Sequence, residues 1–263
     1  MEIKLVNYSS KKHNILIEEN KITGINGKDK NNFVKLLNLN ILEEGDIYIN
    51  NIKVTKSNIK TLKKRIGLVS IKQAPNFINT VYDYILEAIK RDNITLRESN
   101  KRIKDAFKIV GIPIYYLERS YLSLSTSEKR LIELLITLIP NPTIIILEDF
   151  FNGLDLKTEK KITLLLRKIR DNYKKTIIIA DDNSDILYKY TDNMIFIKNN
   201  KIFYEGNTKE VYTHVDYLKR NKFIIPDIVL FTSIAKKKKD VKIDYHDDIR
   251  DIIKDIYKHV KVE

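Results

Sequence analysis

The sequence predicts an α/β fold, with a mostly parallel sheet, a helical insert and a small helical C-terminal appendage. Three observations carry that prediction. A loop with two glycines, Gly24-Ile25-Asn26-Gly27-Lys28-Asp29-Lys30-Asn31-Asn32, joins a strand to an apolar helix, the arrangement that aims backbone N–H groups at an anion. Two almost pure isoleucine runs, Thr143 to Leu147 and Thr176 to Ala180, show no polar alternation, so strands built from them must be covered on both faces. Helix-period segments alternate with these runs, which implies parallel strands with helices on each side.

Taken in order, short strands are expected near Glu2 to Val6 and Asn14 to Ile17, followed by a strand from Lys21 to Thr23 that feeds the loop. The helix after it runs from about Lys30 to Leu37. Glu44-Gly45-Asp46 reads as a turn into a strand ending at Ile49, and Arg65 to Ser70 as a buried strand emerging into a loop. From about 80 to 125 the character changes to a helical insert. Thr80 to Ile89 and Ser99 to Val110 carry apolar residues at helical spacing, among them Ile103, Ala106, Phe107 and Val110. Thr126 to Leu138 is a helix closed by Pro140-Asn141-Pro142. A helix from Lys157 to Tyr173, a helix near Asp185 to Tyr190 and a hairpin-like pair, Asn193 to Ile197 and Lys201 to Tyr204, complete a domain over residues 1–206. Residues 207–263 form the appendage, with helices expected at Thr208 to Lys219 and Asp227 to Lys238. In the last segment Ile249, Ile252, Ile253, Ile256 and Val260 recur at helical spacing.

Composition narrows the chemistry. The 263 residues include no cysteine, which excludes disulfides and thiolate metal sites, and the four histidines, His13, His214, His246 and His259, lack ligand spacing. Nothing resembles a signal peptide and no apolar run approaches the roughly 20 residues that span a bilayer, so a membrane link is expected to run through a partner or the surface. The net charge of +13 would suit nucleic acid or an anionic membrane face. Lysine, isoleucine, asparagine and tyrosine are abundant throughout, however, as in AT-rich coding, which supplies lysines without a dedicated basic site. Lys236 to Lys239 reads as the solvated end of a helix, or else as a contact for lipid headgroups or an acidic partner. Glycine is scarce, with seven residues, so each is expected at a junction or turn.

An intact phosphate-binding loop has the form G-x-x-x-x-G-K-[ST]: small residues let N–H groups close on phosphates, the lysine reaches the β and γ phosphates, and the hydroxyl holds Mg²⁺. Gly24, Gly27 and Lys30 are in register with that form. Asp29 stands where its last glycine belongs, and Asn31 and Asn32 replace the hydroxyls.

Later segments follow in an order that is itself informative. Ile66-Gly67-Leu68-Val69 resembles the strand leading into a Q-loop, and Leu124-Ser125-Thr126-Ser127-Glu128-Lys129 resembles an LSGGQ signature. Ile144-Ile145-Ile146-Leu147-Glu148-Asp149 resembles a Walker B strand with its catalytic acid, and Asn152-Gly153-Leu154-Asp155 a D-loop. Ile177-Ile178-Ile179-Ala180-Asp181-Asp182 stands in the place of a switch-histidine segment. Together these marks resemble the ABC-transporter ATPases, whose core is P-loop NTPase-like, over nearly the whole chain. Gly206-Asn207-Thr208-Lys209-Glu210-Val211-Tyr212 and Ile225-Pro226-Asp227-Ile228 are similar to the tail of energy-coupling-factor A subunits.

The resemblance assigns roles that the residues present fill imperfectly. Asn26, Lys28 and Lys30 would join Gly24, Gly27, Asn31 and Asn32 in holding ATP. Asp29 is expected to need a backbone conformation that aspartate only partly tolerates, and to repel phosphate by roughly 3 kcal/mol per unit charge at about 5 Å and an effective dielectric near 20. Asn31 and Glu148 would hold Mg²⁺ weakly, and Asp149 is one methylene too short for the water-activating glutamate. Asp182 cannot donate to a γ-phosphate when ionised, and Ile71 takes the glutamine's place, with Gln73 as a slipped substitute or a plain loop residue. Ser125, Thr126, Ser127 and Glu128 would serve a partner's site, with Asp155 in the D-loop. Tyr8 reads either as an adenine-stacking aromatic or as an ordinary strand tyrosine.

The resulting expectation is an ATP-binding subunit of an energy-coupling-factor-type importer. Its ATP and Mg²⁺ binding would be weak or lost, and it would pair with a more intact ATPase subunit below a membrane T subunit, peripheral on the cytoplasmic face. The alternative is an ABC-fold interaction module that binds no nucleotide. Specific nucleic-acid binding is not expected, since the chain has neither a fused ABC pair nor a coiled-coil insert.

Overall fold

The computed structural model describes residues 1–8, 13–41, 45–70, 79–91, 95–239, 250–251, 253–254 and 257, without the side chains of 91, 96, 97 and 237–239. In chain order the elements are β1 (Ile3–Tyr8), β2 (His13–Ile17), β3 (Ile22–Asn26), α1 (Lys30–Leu37), β4 (Asp46–Ile49), β5 (Ile52–Lys53), α2 (Ile59–Lys63) and β6 (Ile66–Val69). Then come α3 (Val81–Arg91), α4 (Leu96–Val110), two 3₁₀ turns (Ile114–Glu118 and Tyr121–Ser123), α5 (Thr126–Leu138), β7 (Ile144–Glu148), α6 (Leu156–Tyr173) and β8 (Thr176–Ala180). The chain continues with α7 (Ser184–Tyr190), β9 (Asn193–Lys198), β10 (Lys201–Asn207), α8 (Thr208–Val211), α9 (Val215–Arg220) and α10 (Asp227–Lys239).

Six strands form the central sheet in the order β10-β9-β3-β8-β7-β6, parallel except for the β9–β10 hairpin. The isoleucine runs occupy its interior. Ile144 to Leu147 and Ile177 to Ala180 are wholly shielded from solvent, as uninterrupted apolar strands require. One face of the sheet carries a core shared with α3 to α7. Val211, Tyr212, Leu218, Phe223 and Val229 of the C-terminal region pack into the same core. The other face packs on Phe33, Val34, Leu36 and Leu37 of α1 and on a second, antiparallel sheet of order β2-β1-β4-β5.

Most expected elements occur within a residue or two of their predicted ends. Two findings differ. The antiparallel sheet is a separate layer, legible in the sequence only as scattered short strands. The helix expected over Thr208 to Lys219 is two helices, α8 and α9, broken at Tyr212 to His214. The break has a packing cause. Tyr212 is fully buried edge-on between Tyr188 and Phe196, with ring centroids 5.5 Å from each. The chain turns there through Thr213, whose N–H and hydroxyl both donate to the Glu210 carbonyl, at 3.0 and 2.7 Å. Of the periodic residues in the last segment only Ile253 is described; the other four lie outside the described residues.

Candidate functional site

β3 delivers the phosphate-type loop at the carboxyl end of the central sheet, where open parallel sheets place their ligands. Gly27 sits at φ +133°, and a Cβ there would lie 1.9 Å from the Ile197 carbonyl oxygen, so only glycine lets the loop press against β9. The loop closes into α1 through a Lys30 N–H bond to the Gly27 carbonyl at 3.1 Å. Asn26 ties it to the segment opposite, its amide donating to the Asp181 carbonyl at 2.9 Å.

Asp29 corrects one expectation. Its φ is −99°, an ordinary conformation for any residue, so the lost glycine imposes no backbone strain. Its carboxylate accepts the Asn200 N–H at 3.1 Å and braces the β9–β10 turn, where Asn199 and Asn200 both stand at φ 54°. Asn32 supports the same turn, donating from its amide to the Asn200 side chain at 3.1 Å. Asn31 and Lys28 are exposed at the loop's outer side.

Lys30 is the centre of the site's electrostatics. Its ammonium is buried between two carboxylates, 2.7 Å from Asp182 Oδ2 and 3.3 Å from Asp149 Oδ1. Burial alone would lower its pKa, but the hydrogen bond to Asp182 and the charges of Asp149 and Asp182 outweigh burial and raise it. One cation therefore faces two anions, and the inner wall carries a net negative charge. Asp149 takes a left-handed conformation, φ 48°, and its N–H bonds the Ala180 carbonyl at 2.9 Å, which turns the chain after β7 toward the loop. Asp181, fully buried, has its carboxyl pushed up by burial while accepting the Asn183 N–H at 2.9 Å. Glu148 is half-buried at the end of β7. Among the described residues no three acidic or histidine side chains converge as a metal-binding group.

Tyr8 belongs to the core. It is 4% exposed, meets Phe33 edge to face at 5.6 Å and donates its hydroxyl to the Asn200 carbonyl at 3.2 Å, so it has no open face for a base. Of the two readings of this residue, the structural one holds. Ile71 and Gln73 lie outside the described residues.

The signature-like segment is the N-terminus of α5. Ser125 caps it reciprocally with Glu128: the Glu128 N–H donates to the Ser125 hydroxyl at 3.3 Å, and the Ser125 N–H to Glu128 Oε2 at 2.8 Å. Thr126 is exposed and Ser127 half-buried on the first turn. Glu128 Oε1 accepts from the Tyr116 hydroxyl and from Arg119, both at 2.7 Å, so its charge is satisfied within the chain. The Tyr116 hydrogen bond and the Ser125 N–H, aided by Arg119, lower its pKa from 4.5 to about 2. Glu128→Gln is therefore expected to cost about 1–2 kcal/mol at pH 7. That contribution is present above pH 4.5 and is lost as pH falls toward 2, so the gap between wild-type and variant melting points should close in acid. Asp155 caps α6, accepting from the N–H groups of Lys157 and Thr158 at 2.9 Å each.

Two participants were missed by sequence reasoning. Arg130, buried on α5, donates to the Asn152 carbonyl at 3.1 Å and so ties α5 to the turn after Asp149. Its only sequence signal is a charge on the apolar face of a helix. The second is the segment Asn221–Ile224, which, with the phosphate-type loop and the end of β9, lines a half-open cavity of about 600 Å³. Nothing in its pattern announces it.

Gly27 holds the loop against β9, and the loop brings Lys28 and Lys30 to the cavity wall, a lining that a phosphate-sized anion can meet. A family model described as ABC transporter matches residues 14–152. The energy-coupling factor transporter ATP-binding protein EcfA2 of Caldanaerobacter subterraneus subsp. tengcongensis is 29% identical over 231 residues, covering 85% of this chain and 80% of its own. Among solved structures, cbiO1 from Clostridium perfringens, part of the ABC transporter complex cbiONQ, is 25% identical with a TM-score of 0.70, over 88% of this chain and 98% of its own. The dimeric bacterial ABC transporter cassette MJ0796 shares the fold at 20% identity and a TM-score of 0.63, over 78% of this chain and 98% of its own.

Proposed function

The chain belongs to the ABC transporter family, and from that premise we propose that it is the degenerate ATP-binding subunit of an energy-coupling-factor-type importer. The observation that carries the degeneracy is the Lys30 ammonium held between Asp149 and Asp182. A lysine that must first leave two carboxylates offers a triphosphate less than a free one would.

In this reading Asn26, Gly27, Lys28, Lys30 and Asn32 hold the phosphates, Gly24 serves behind them as a buried residue of β3 packed beneath Met194, and Asn31 with Glu148 holds Mg²⁺ through amide and carboxylate oxygens. A bound MgATP would supply the energy of phosphoanhydride hydrolysis. Asp149 stands for the water-activating glutamate, one methylene short of it, and Asp182 stands at the switch position as an anion. Ser125, Thr126, Ser127 and Glu128 face a partner ATPase, with Asp155 ordering the D-loop through its cap on α6. Residues 1–206, with an insert at about 80–125, make up the ATP-binding domain, and 207–263 the appendage.

The relatives' names support a second ATPase and membrane components as partners, and we take the membrane component to be of the T type. Among the described residues no helix is long and apolar enough to cross a bilayer, which suits a peripheral subunit at the cytoplasmic face. Turnover of MgATP by the isolated chain is expected to stay well below about 1 s⁻¹, and a rate at or above that of ordinary competent enzymes would overturn the degenerate assignment. The caged lysine also favours a second reading, an interaction module without nucleotide. That reading wins if millimolar ATP produces no thermal shift while a T-type subunit still co-purifies.

A further inference from the structure

We propose that the C-terminal segment Asn221–Ile224 completes the phosphate site, with Lys222 supplying a cation beside the one that Lys30 shares with Asp149 and Asp182. The inference rests on the nucleotide reading above. Four lysines, Lys28, Lys30, Lys198 and Lys222, line the cavity against two aspartates, Asp29 and Asp182. Lys30 is matched by Asp182 at 2.7 Å, and Lys198 is directed onto the Asn221 side chain at 3.0 Å. Among the described residues neither Lys28 nor Lys222 meets a carboxylate, so the cavity's positive excess lies on the loop's outer side and on the C-terminal segment.

The segment is built to stay there. Phe223 is buried against Phe196 and Phe203, with centroids 4.8 and 5.3 Å away. The Lys222 N–H closes on the Lys219 carbonyl at 2.9 Å and the Phe223 N–H on the Leu218 carbonyl at 3.1 Å, which ends α9 as a left-handed turn with Lys222 at φ 66°. Lys222 is thereby placed at the rim while its own side chain remains exposed. A phosphate chain entering between the loop and this segment would meet Lys28 on one side and Lys222 on the other. Two positive charges on opposite walls attract a polyphosphate even where the inner wall is anionic.

The test is calorimetric titration of the full chain with inorganic tripolyphosphate and, separately, with MgATP at two salt concentrations. Lys222→Gly removes the side chain at a backbone conformation glycine adopts freely, so its melting point should hold or rise. Lys222→Gln keeps the length, and Lys219→Gln, one turn away and outside the cavity, serves as control. Both Lys222 variants are expected to bind tripolyphosphate and MgATP about tenfold more weakly, with a shallower salt dependence, while the control stays within about twofold. If wild type binds both ligands and the Lys222 variants match it, the inference falls and the nucleotide reading stands. Binding of tripolyphosphate through Lys222 with no response to MgATP would sustain the inference and remove the nucleotide reading. A wild type that binds neither overturns both.

Discussion

Asp182→Asn is expected to strengthen MgATP binding to the isolated chain by about tenfold. The replacement keeps the side chain's shape and leaves an amide oxygen to accept from Lys30, but removes one of the two anions around the ammonium. A phosphate in the loop would sit about 5 Å from that carboxylate, where a unit charge repels it by roughly 3 kcal/mol at an effective dielectric near 20. The Asp182 side chain is 67% exposed, so water and salt leave about half of that, close to one decade in affinity. Lys30 remains charged near neutrality, because its pKa starts from a raised value and Asp149 still faces it at 3.3 Å. Titration of both proteins at one ionic strength checks the prediction. An affinity equal to or below wild type would mean that Asp182 is not the brake on phosphate binding.

Gly27→Ala is expected to be the most damaging of the glycine-to-alanine changes in this chain. The new Cβ would lie 1.9 Å from the Ile197 carbonyl oxygen, a backbone atom in a central strand that cannot turn aside as a side chain would. The conformation at φ +133° adds strain of its own, about 1–3 kcal/mol for a residue with a Cβ. Together the two should remove more than about 4 kcal/mol, or roughly 10 °C of melting temperature for a domain of this size. Gly153→Ala separates the terms, since Gly153 also has a positive φ, 78°, but a Cβ there would meet nothing within 4 Å. Thermal melts should show a loss of only about 1 kcal/mol for Gly153→Ala. Similar losses for the two would place the whole cost of Gly27→Ala in the backbone, with none in the contact with β9.

The parts of the fold that were legible are those whose signal is local. The isoleucine strands, α5 between Thr126 and Leu138, and the loop into α1 all announce themselves through period, caps and composition. The antiparallel sheet does not, because β5 is two residues long and its identity lies in pairing with β4. The site divides the same way. Its residue types could be read in order along the chain, yet their states could not, since several of these groups have found partners elsewhere in the sequence. Asp29 meets Asn200, Asp182 meets Lys30, and Glu128 meets Arg119 and Tyr116. An isolated aspartate read as a repulsive defect is, in the folded chain, a brace for a turn. Asn221–Ile224 was invisible for a different reason, as its place at the cavity depends on how Phe223 packs rather than on any pattern in its own residues.

The strand order carries a consequence for how this molecule comes into being. β3, which leads into the phosphate loop, is flanked on both sides by strands from the far end of the chain: Ile22 pairs with Ile177 and Thr23 with Asn193. The polar links beside it span 155 and 170 residues of sequence. On a ribosome, the first strand of the site must wait for most of the polypeptide before either neighbour exists, so the loop cannot take its bound-like shape early. Closing such distant pairings is slow and leaves apolar edges open meanwhile, so the long wait for β8 and β9 is the interval in which the growing chain is most exposed to aggregation.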